Sequence, residues 1–476
     1  MKPVLIARQR ECEQLAESLK TSRSEFVIVC GRRRIGKTFL VDQFFNNEYD
    51  FTFVGVHKAK TVVQLRNFAK AIRQYSGKRP TRFSDWYDAF DALEEYLETL
   101  PAERKKVIFI DEMPWIDTSR STFVEALENF WNGWANRRYD IVLIASGSAT
   151  SWMADNLIEN QGGLHNRITR RIYLEPFTLG EAEEYFKSQD FYWTRYDILQ
   201  CYMLTGGVPY YLNLLNPKLS VAQNIDALCF DENGPMRKEF NELYPALFYH
   251  AENYINIVTL LYQHKSGMTR KEIARNTKIN GTVLNTVLEN LEQCDFIGKM
   301  EIFGRESNMV YRLVDFYTLF YFKFIADKHK LDEQWWSHHL DDVGIRSWQG
   351  LCFELICMRH HRQIKKALGI SGMATSVSTW RCSPDEKENL PGAQIDMIIE
   401  RADRLIHLCE MKFSQKAYNI SADYEKKLRD RMWLFDLRTK NRKPLVHTFV
   451  TTFGLGEGKH HSIVHSEVTM DDLFNS

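Results

Sequence analysis

Three short runs in the N-terminal third of the chain are apolar almost without a break: Glu25-Phe-Val-Ile-Val-Cys30, Lys106-Val-Ile-Phe-Ile110 and Ile141-Val-Leu-Ile-Ala145. Each is rich in β-branched side chains and shows no polar face, the pattern of a parallel strand covered on both sides. Tyr49 to Val54 and Ile172 to Leu174 read as two further strands, with helical stretches between. Strands alternating with helices imply a doubly wound α/β core around a parallel sheet.

From about Asn253 the pattern changes. Tyr254 to His264 is helical, and Thr269-Arg-Lys-Glu272 is a capping box that opens a second helix. Asn280-Gly281-Thr282 breaks the chain before a third helix, Val283 to Gln293, and two short strands follow around Gly304, Phe296 to Ile302 and Asn308 to Leu313. Three helices and a hairpin suggest a winged helix-turn-helix. Asp315 to Phe324 gives an aromatic helix, read with Trp335 and Trp336 as buried at an interface rather than stacked on nucleic acid. A long amphipathic helix is expected from Arg346 to Leu368. Gln394 to Glu400 and Leu405 to Lys412 then form a hairpin across Arg401-Ala-Asp-Arg404.

Length and composition narrow this picture. At 476 residues, 44% of them apolar, the chain holds several packed domains of about 150 residues each. The expected boundaries are 1–178 for a first α/β core, 179–245 for a helical segment, 246–330 for the winged helix and 331–476 for a second α/β domain. A formal net charge of zero excludes a general nucleic-acid coat and leaves room for a local basic face. The nine cysteines show no zinc spacing and read as free thiols of a reducing compartment. With no apolar leader after Met1-Lys2-Pro3 and no long apolar run, a cytoplasmic protein without a membrane partner is expected.

The first strand runs straight into Gly31-Arg32-Arg33-Arg34-Ile35-Gly36-Lys37-Thr38, and a helix opens at Lys37-Thr38-Phe39. Strand, glycine loop and helix in this order are the context of a phosphate-cradling loop. Gly31 and Gly36 let backbone N–H groups turn onto phosphates, with Arg34, Ile35 and Phe39 in the same segment. Lys37 is expected to reach the β- and γ-phosphates of ATP, and the Thr38 hydroxyl to ligate Mg²⁺. Asp111 and Glu112 end the second apolar run; Asp111 would hold the metal, and Glu112 would act as general base toward the attacking water. Ser148, with Ser146 as runner-up, is the candidate γ-phosphate sensor; an ordinary strand-end turn is the competing reading. The loop Gly162-Gly-Leu-His-Asn-Arg167 offers Arg167 as an arginine-finger candidate, in cis or across a subunit boundary of an oligomer, against the plainer reading of a surface charge.

Leu5-Ile-Ala-Arg8 with Glu11, the glycine loop, Phe109-Ile-Asp-Glu-Met-Pro-Trp115, Ser146-Gly-Ser148 and Leu174-Glu-Pro-Phe177 together resemble the AAA+-related ATPases of archaea and many bacteria, within the STAND class of signalling ATPases. Thr205-Gly-Gly-Val-Pro209 is similar to the lid signature of that class. The resemblance covers about residues 1–240 and implies that Arg8 lies near the adenine and Pro209 in the lid over the base.

In the C-terminal hairpin, Asp396 lies near the start of one strand and Glu410 near the end of the other, so antiparallel pairing brings them together. Glu410 and Lys412, two apart, project from one face. Two carboxylates, with Glu354 of the preceding helix as a further ligand, offer hard oxygens to Mg²⁺ or Mn²⁺, and Lys412 can orient a water or stabilise an oxyanion. Gln394-Ile-Asp396 followed by Glu410-Met-Lys412 resembles the PD-(D/E)XK nuclease superfamily, which implies a metal-dependent phosphodiesterase with catalytic Asp396, Glu410 and Lys412 and a nucleic-acid substrate, DNA favoured. Basic residues from Lys416 to Lys443 would flank it; a solvated face is the alternative. The third helix of the middle segment carries Glu289 and Glu292 and no Lys or Arg, which favours a packing or relay role over base readout. His360, His361, His460 and His461 read as surface histidines.

The expected whole is an ATPase that gates a nuclease-like domain. Its rival is a nucleotide-dependent scaffold whose C-terminal domain binds a partner or DNA without cutting.

Overall fold

A computed structural model of the chain describes residues 5–78, 82–118, 121–148, 151–158, 162–164, 166–248, 250–326 and 332–475. Two compact units emerge: residues 1–176 with 285–294, and residues 177–284 with 295–476.

The apolar runs form the middle of the first unit's sheet. Strands β1 (Glu25–Gly31), β2 (Phe51–Val54), β3 (Lys106–Asp111), β4 (Ile141–Ser148) and β5 (Arg170–Leu174) are all parallel, in the order β2-β3-β4-β1-β5. Because side chains alternate across a strand, the runs feed two cores. Phe26, Ile28, Ile108, Ile110 and Leu143 pack with Phe68, Trp86, Phe90 and Trp131 on one face. Val27, Val29, Val107, Phe109, Val142 and Ile144 pack with Leu15, Leu40 and Val41 on the other. The helices Gln9–Lys20, Lys37–Phe44, Thr61–Ser76 and Trp86–Glu98 and the helical segment Phe130–Trp134 supply these partners. Lys106, buried at the head of β3, is tolerated because its ammonium pairs with the buried Asp140 carboxylate. Burial alone would raise Asp140, but Arg138 and Lys106 outweigh it and hold its pKa at about 2.

The second unit opens with helices. Leu179–Ser188 and Arg195–Thr205 each begin on a capping box, at Thr178 and Thr194. Gly206 and Gly207, both at positive φ, end the second of them, and Pro209 starts the short helix Pro209–Leu212. Ala251–Gln263 and Arg270–Thr277 are two of the three expected helices; the third, Gly281–Gln293, starts two residues early, and its residues from 285 on group with the first unit. Thr269 makes the expected capping box with Glu272.

β6 (Met268–Thr269), between the first and second of these helices, and β7 (Ile297–Ile302), β8 (Arg305–Leu313), β9 (Thr375–Cys382), β10 (Ala393–Arg401), β11 (Ile406–Lys412), β12 (Leu445–Thr451) and β13 (Val464–Thr469), after them, join one sheet in the order β13-β12-β11-β10-β9-β7-β8-β6. The β7–β8 hairpin meets β9 at Ile302 and Thr379, where the Phe303 N–H donates to the Thr379 carbonyl at 2.8 Å. Phe316 to Phe320 and Phe324 of the aromatic segment are buried in this unit, as is Trp336, while Tyr321 and Phe322 are half-buried. The nine cysteines are free, and among the described residues no helix is long and apolar enough to cross a membrane.

Two expectations fail at His360. The long helix is two, Val343–Arg359 and His361–Ala367, and His360 at the break is buried rather than on the surface. Its Nε2 accepts the Leu179 backbone N–H at 3.0 Å, and its Nδ1 lies 2.8 Å from the Ile356 carbonyl oxygen. The ring therefore satisfies an orphan donor at a helix start, which only the neutral imidazole can do. Burial pushes its pKa from 6.5 to about 4. The sign follows: above the ordinary value the contribution is complete, and as pH falls toward 4 the unfolded chain takes up a proton that the folded chain refuses. A loss on the order of 3 kcal/mol is expected across that window. Urea midpoints at pH 7.5 and 5 should fall more for the native chain than for His360→Asn, which starts less stable but has no ring to titrate. Equal slopes would remove His360 from the account.

Candidate functional site

The parallel sheet sends the C-terminal ends of β1, β3 and β4 to one edge, where ligands of open α/β sheets bind. The glycine loop leaves β1 there. Gly31 sits at φ +154°, and a Cβ on it would stand 2.5 Å from the Leu174 carbonyl oxygen, so only glycine lets the loop start so close to β5. Gly36 follows at φ +89°, and the helix opens at Lys37. The Lys37 ammonium is buried and folds back on the loop, donating to the carbonyls of Gly31 at 3.3 Å and Arg32 at 3.1 Å. Burial lowers its pKa, opposed chiefly by Glu112 and Asp111.

Asp111 is the hub. The Thr38 hydroxyl donates to its Oδ2 at 2.7 Å, and Ser146 Oγ and the Glu112 backbone N–H both reach Oδ1, the latter at 2.9 Å. Thr38 and Asp111, the two residues expected to serve Mg²⁺, thus stand side by side, and their hard oxygens fit that ion. Glu112 follows in the left-handed region at φ 49°, a turn that takes its side chain off the strand. Burial raises its pKa, and Lys37 pulls it back. Ser148 is paired with Gly31 in the β1–β4 register, and its backbone amide bears on the Glu112 carboxylate. The two serines therefore divide the work: the runner-up Ser146 holds Asp111, and Ser148 lies against Glu112.

Arg34, Ile35 and Phe39 lie in the glycine loop and the first turn of its helix. Ile35 is buried, Phe39 is partly exposed, and Arg34 takes φ 71°. Arg8 caps the first helix, its guanidinium bonded to the Glu175 carbonyl at 2.7 Å. Arg167 is exposed in the loop before β5, where His165 lies outside the described residues. Pro209 belongs to the second unit, where the Phe177 N–H donates to the Gly207 carbonyl at 2.8 Å just ahead of it.

In the second unit, β10 and β11 are antiparallel with Met397 opposite Cys409, which sets Asp396 beside Glu410. Glu410 Oε1 pairs with Lys412 Nζ at 2.7 Å and accepts from the Tyr424 hydroxyl; Oε2 pairs with Arg431 at 2.7 Å. Burial would raise Glu410, but Lys412 and Arg431 outweigh it and keep its pKa low. Glu354, on the helix Val343–Arg359, is pushed up to about 8 by burial and then by the charge of Asp396. Asp396 Oδ1 accepts from Gln394 Nε2 at 2.5 Å and from Arg312 at 3.2 Å. A cavity of about 320 Å³ opens beside Glu354 and Asp396, lined also by Lys265, Ser266, Arg312 and Gln394. The carboxylates are chemically suited to a hard divalent cation, yet Asp396 and Glu410 each carry a protein cation. Among the described residues no three carboxylate, imidazole or thiol groups are arranged to hold a metal.

Three of these contacts escape sequence reasoning. Arg431 lies inside a stretch already noted as basic. Tyr424 and Arg312 have no local signal, since Arg312 meets Asp396 across 84 residues.

Residues 5–215 match the model of a family described as an ATPase domain predominantly from Archaea. An uncharacterized protein of Methanocaldococcus jannaschii is 22% identical over 328 residues, covering 68% of this chain and 69% of its own. Among solved structures, a Walker-type ATPase of Pyrococcus abyssi aligns with 66% of this chain and 95% of its own, at 19% identity and a TM-score of 0.46. The ORC2 protein of Aeropyrum pernix aligns with 75% and 96%, at 14% identity and a TM-score of 0.43. Over residues 5–215 the chain is thus similar to an ATPase domain, and the strand, glycine loop and helix of that part have the arrangement of a P-loop.

Proposed function

We propose that this ATPase uses its nucleotide state to gate a metal-dependent nucleic-acid cleavage site in its C-terminal region, with DNA as the favoured substrate. The boundaries that go with this reading are an ATPase core to residue 178, a lid to 245, a winged helix to 330 and a nuclease-like domain beyond. The observation that carries it is the antiparallel β10–β11 pair, which sets Asp396 beside Glu410 with Lys412 on the same face.

At the P-loop, backbone N–H groups from Gly31 to Thr38 bind the phosphates, and Lys37 leaves its two carbonyls for the β- and γ-oxygens. Thr38 and Asp111 would hold Mg²⁺, whose chemistry there would be to neutralise phosphate charge. Glu112 takes the proton of the attacking water, a role suited to a buried carboxyl of raised pKa. Ser148, lying against Glu112, reports whether the γ-phosphate is present. Arg167, exposed in its loop, suits a finger given to a second copy of the chain.

At the second site, Asp396, Glu410 and Glu354 would hold Mg²⁺ or Mn²⁺, whose chemistry there is to acidify a water. Lys412 orients that water or stabilises the oxyanion. The helix Ala422–Thr439, which supplies Tyr424 and Arg431 to Glu410, also carries Lys426, Lys427 and Arg429 toward a phosphate backbone. The acidic third helix of the middle segment serves packing or relay.

The test is cleavage of single- and double-stranded DNA and RNA with Mg²⁺ or Mn²⁺, with and without ATP. Asp396→Ala should lower cleavage at least about 100-fold, and the ATP response should vanish in Lys37→Ala. No cleavage under any condition, with ATP turnover intact, would leave the scaffold reading. One observation favours that rival: Asp396 and Glu410 are already neutralised by protein cations.

A further inference from the structure

Arg312 stands apart from the other cations at the C-terminal carboxylates. Lys412 and Arg431 come from β11 and the helix after it, whereas Arg312 comes from β8 of the hairpin that follows the three helices. Its side chain is only 8% exposed and is held along its length. Nε donates to the Ser266 carbonyl at 3.3 Å, one terminal nitrogen lies 3.8 Å from Met358 Sδ, and the other donates to Asp396 Oδ1 at 3.2 Å. The stem is fixed by Gly267 at φ +81°, where a Cβ would fall 2.7 Å from Arg312 Cγ and 2.3 Å from Val310 Cγ1. Arg381 of β9 ties the same turn down, donating to the Gly267 carbonyl at 2.8 Å.

A guanidinium at hydrogen-bonding distance from a carboxylate does electrostatically what a bound divalent cation does. Two such cations on one small carboxylate repel each other at close range, and a partly buried site screens that repulsion weakly. A cavity of about 320 Å³ lined by Arg312, Glu354 and Asp396 lies beside the guanidinium.

We propose that Arg312 is a resident counter-ion that keeps the divalent cation off Asp396 until it moves aside, so that the β7–β8 hairpin controls metal loading of the C-terminal site. This rests on the metal-dependent reading of that site. Arg312 acts on Asp396, not on the reacting atoms, and is therefore a positioning residue.

The test is Mn²⁺ binding to the full-length, nucleotide-free protein by titration calorimetry. Wild type, Arg312→Lys and Arg312→Gln are each compared with their own Asp396→Asn counterpart, so that only binding through Asp396 is counted. Arg312→Gln should tighten that binding about tenfold or more, the effect of removing a close like charge of about 1.4 kcal/mol. Arg312→Lys, with a shorter reach and a single point charge, should fall between. Circular dichroism reports whether Arg312→Gln is folded; if it is not, Arg312→Lys against wild type decides. Asp396-dependent binding that is unchanged or weaker in the variants overturns the counter-ion and leaves the metal site standing. Absence of Asp396-dependent binding in all three proteins overturns both.

Discussion

Glu112→Gln is expected to lower ATP turnover by about 10² to 10³-fold while nucleotide affinity stays within a few-fold, as for loss of a general base. The amide keeps the size of the side chain and its place beside the Ser148 amide, but it cannot take a proton. Burial raises the Glu112 carboxyl and Lys37 restrains it. Lys37→Ala differs in kind. Its ammonium is already desolvated and is held by two loop carbonyls, so the cost of burying it has been met before nucleotide arrives. Removing it should weaken nucleotide binding and turnover together. Phosphate release and equilibrium binding of a fluorescent ATP analogue separate the two outcomes. Full turnover in Glu112→Gln would move the base elsewhere.

Gly207→Ala should be the most damaging single-methyl change in the second unit. The residue sits at φ +72°, and an added Cβ would lie 2.2 Å from the Phe177 carbonyl oxygen and 2.7 Å from Tyr202 Cε2. Neither neighbour can yield cheaply. The Phe177 carbonyl accepts the Tyr202 hydroxyl at 2.7 Å, and the Phe177 N–H donates to the Gly207 carbonyl at 2.8 Å. Left-handed strain and overpacking each cost about 1–3 kcal/mol, so a loss of about 3 kcal/mol or more is expected. Gly206→Ala, at φ +59°, meets at closest the Phe316 ring edge at 3.0 Å and should cost less. Chemical denaturation of the two variants beside wild type checks the order; equal midpoints would mean that the Gly207 turn relaxes.

Local patterns gave away the parts of this protein that local physics decides. The unbroken runs at Phe26, Val107 and Ile141 became the three central strands because a strand with no polar face has nowhere else to lie. The spacing of Gly31, Gly36 and Lys37, and of Asp111 and Glu112, positioned the phosphate edge in the same way. The hairpin of Asp396 and Glu410 was legible because turn and alternation are both short-range. Three features were not. His360 looked like a surface residue because nothing nearby in sequence announces the Leu179 N–H, 181 residues away, that it satisfies. The division of labour between Ser146 and Ser148 depends on which hydroxyl meets Asp111, and two serines on one strand end look alike in sequence. The Arg312–Asp396 pair joins strands from different segments, which no periodicity reports.

The meeting of β7 with β9 bears on how this chain can be taken apart. A strand stripped of a neighbour exposes unpaired N–H and C=O groups, an open template for other chains. Here the joint is narrow: one residue pair, Ile302 with Thr379, and the Phe303 N–H on the Thr379 carbonyl. Cutting the chain between hairpin and C-terminal strands therefore alters the edge of β9 at one position only, and a fragment made that way inherits an edge that the whole chain already has along most of its length.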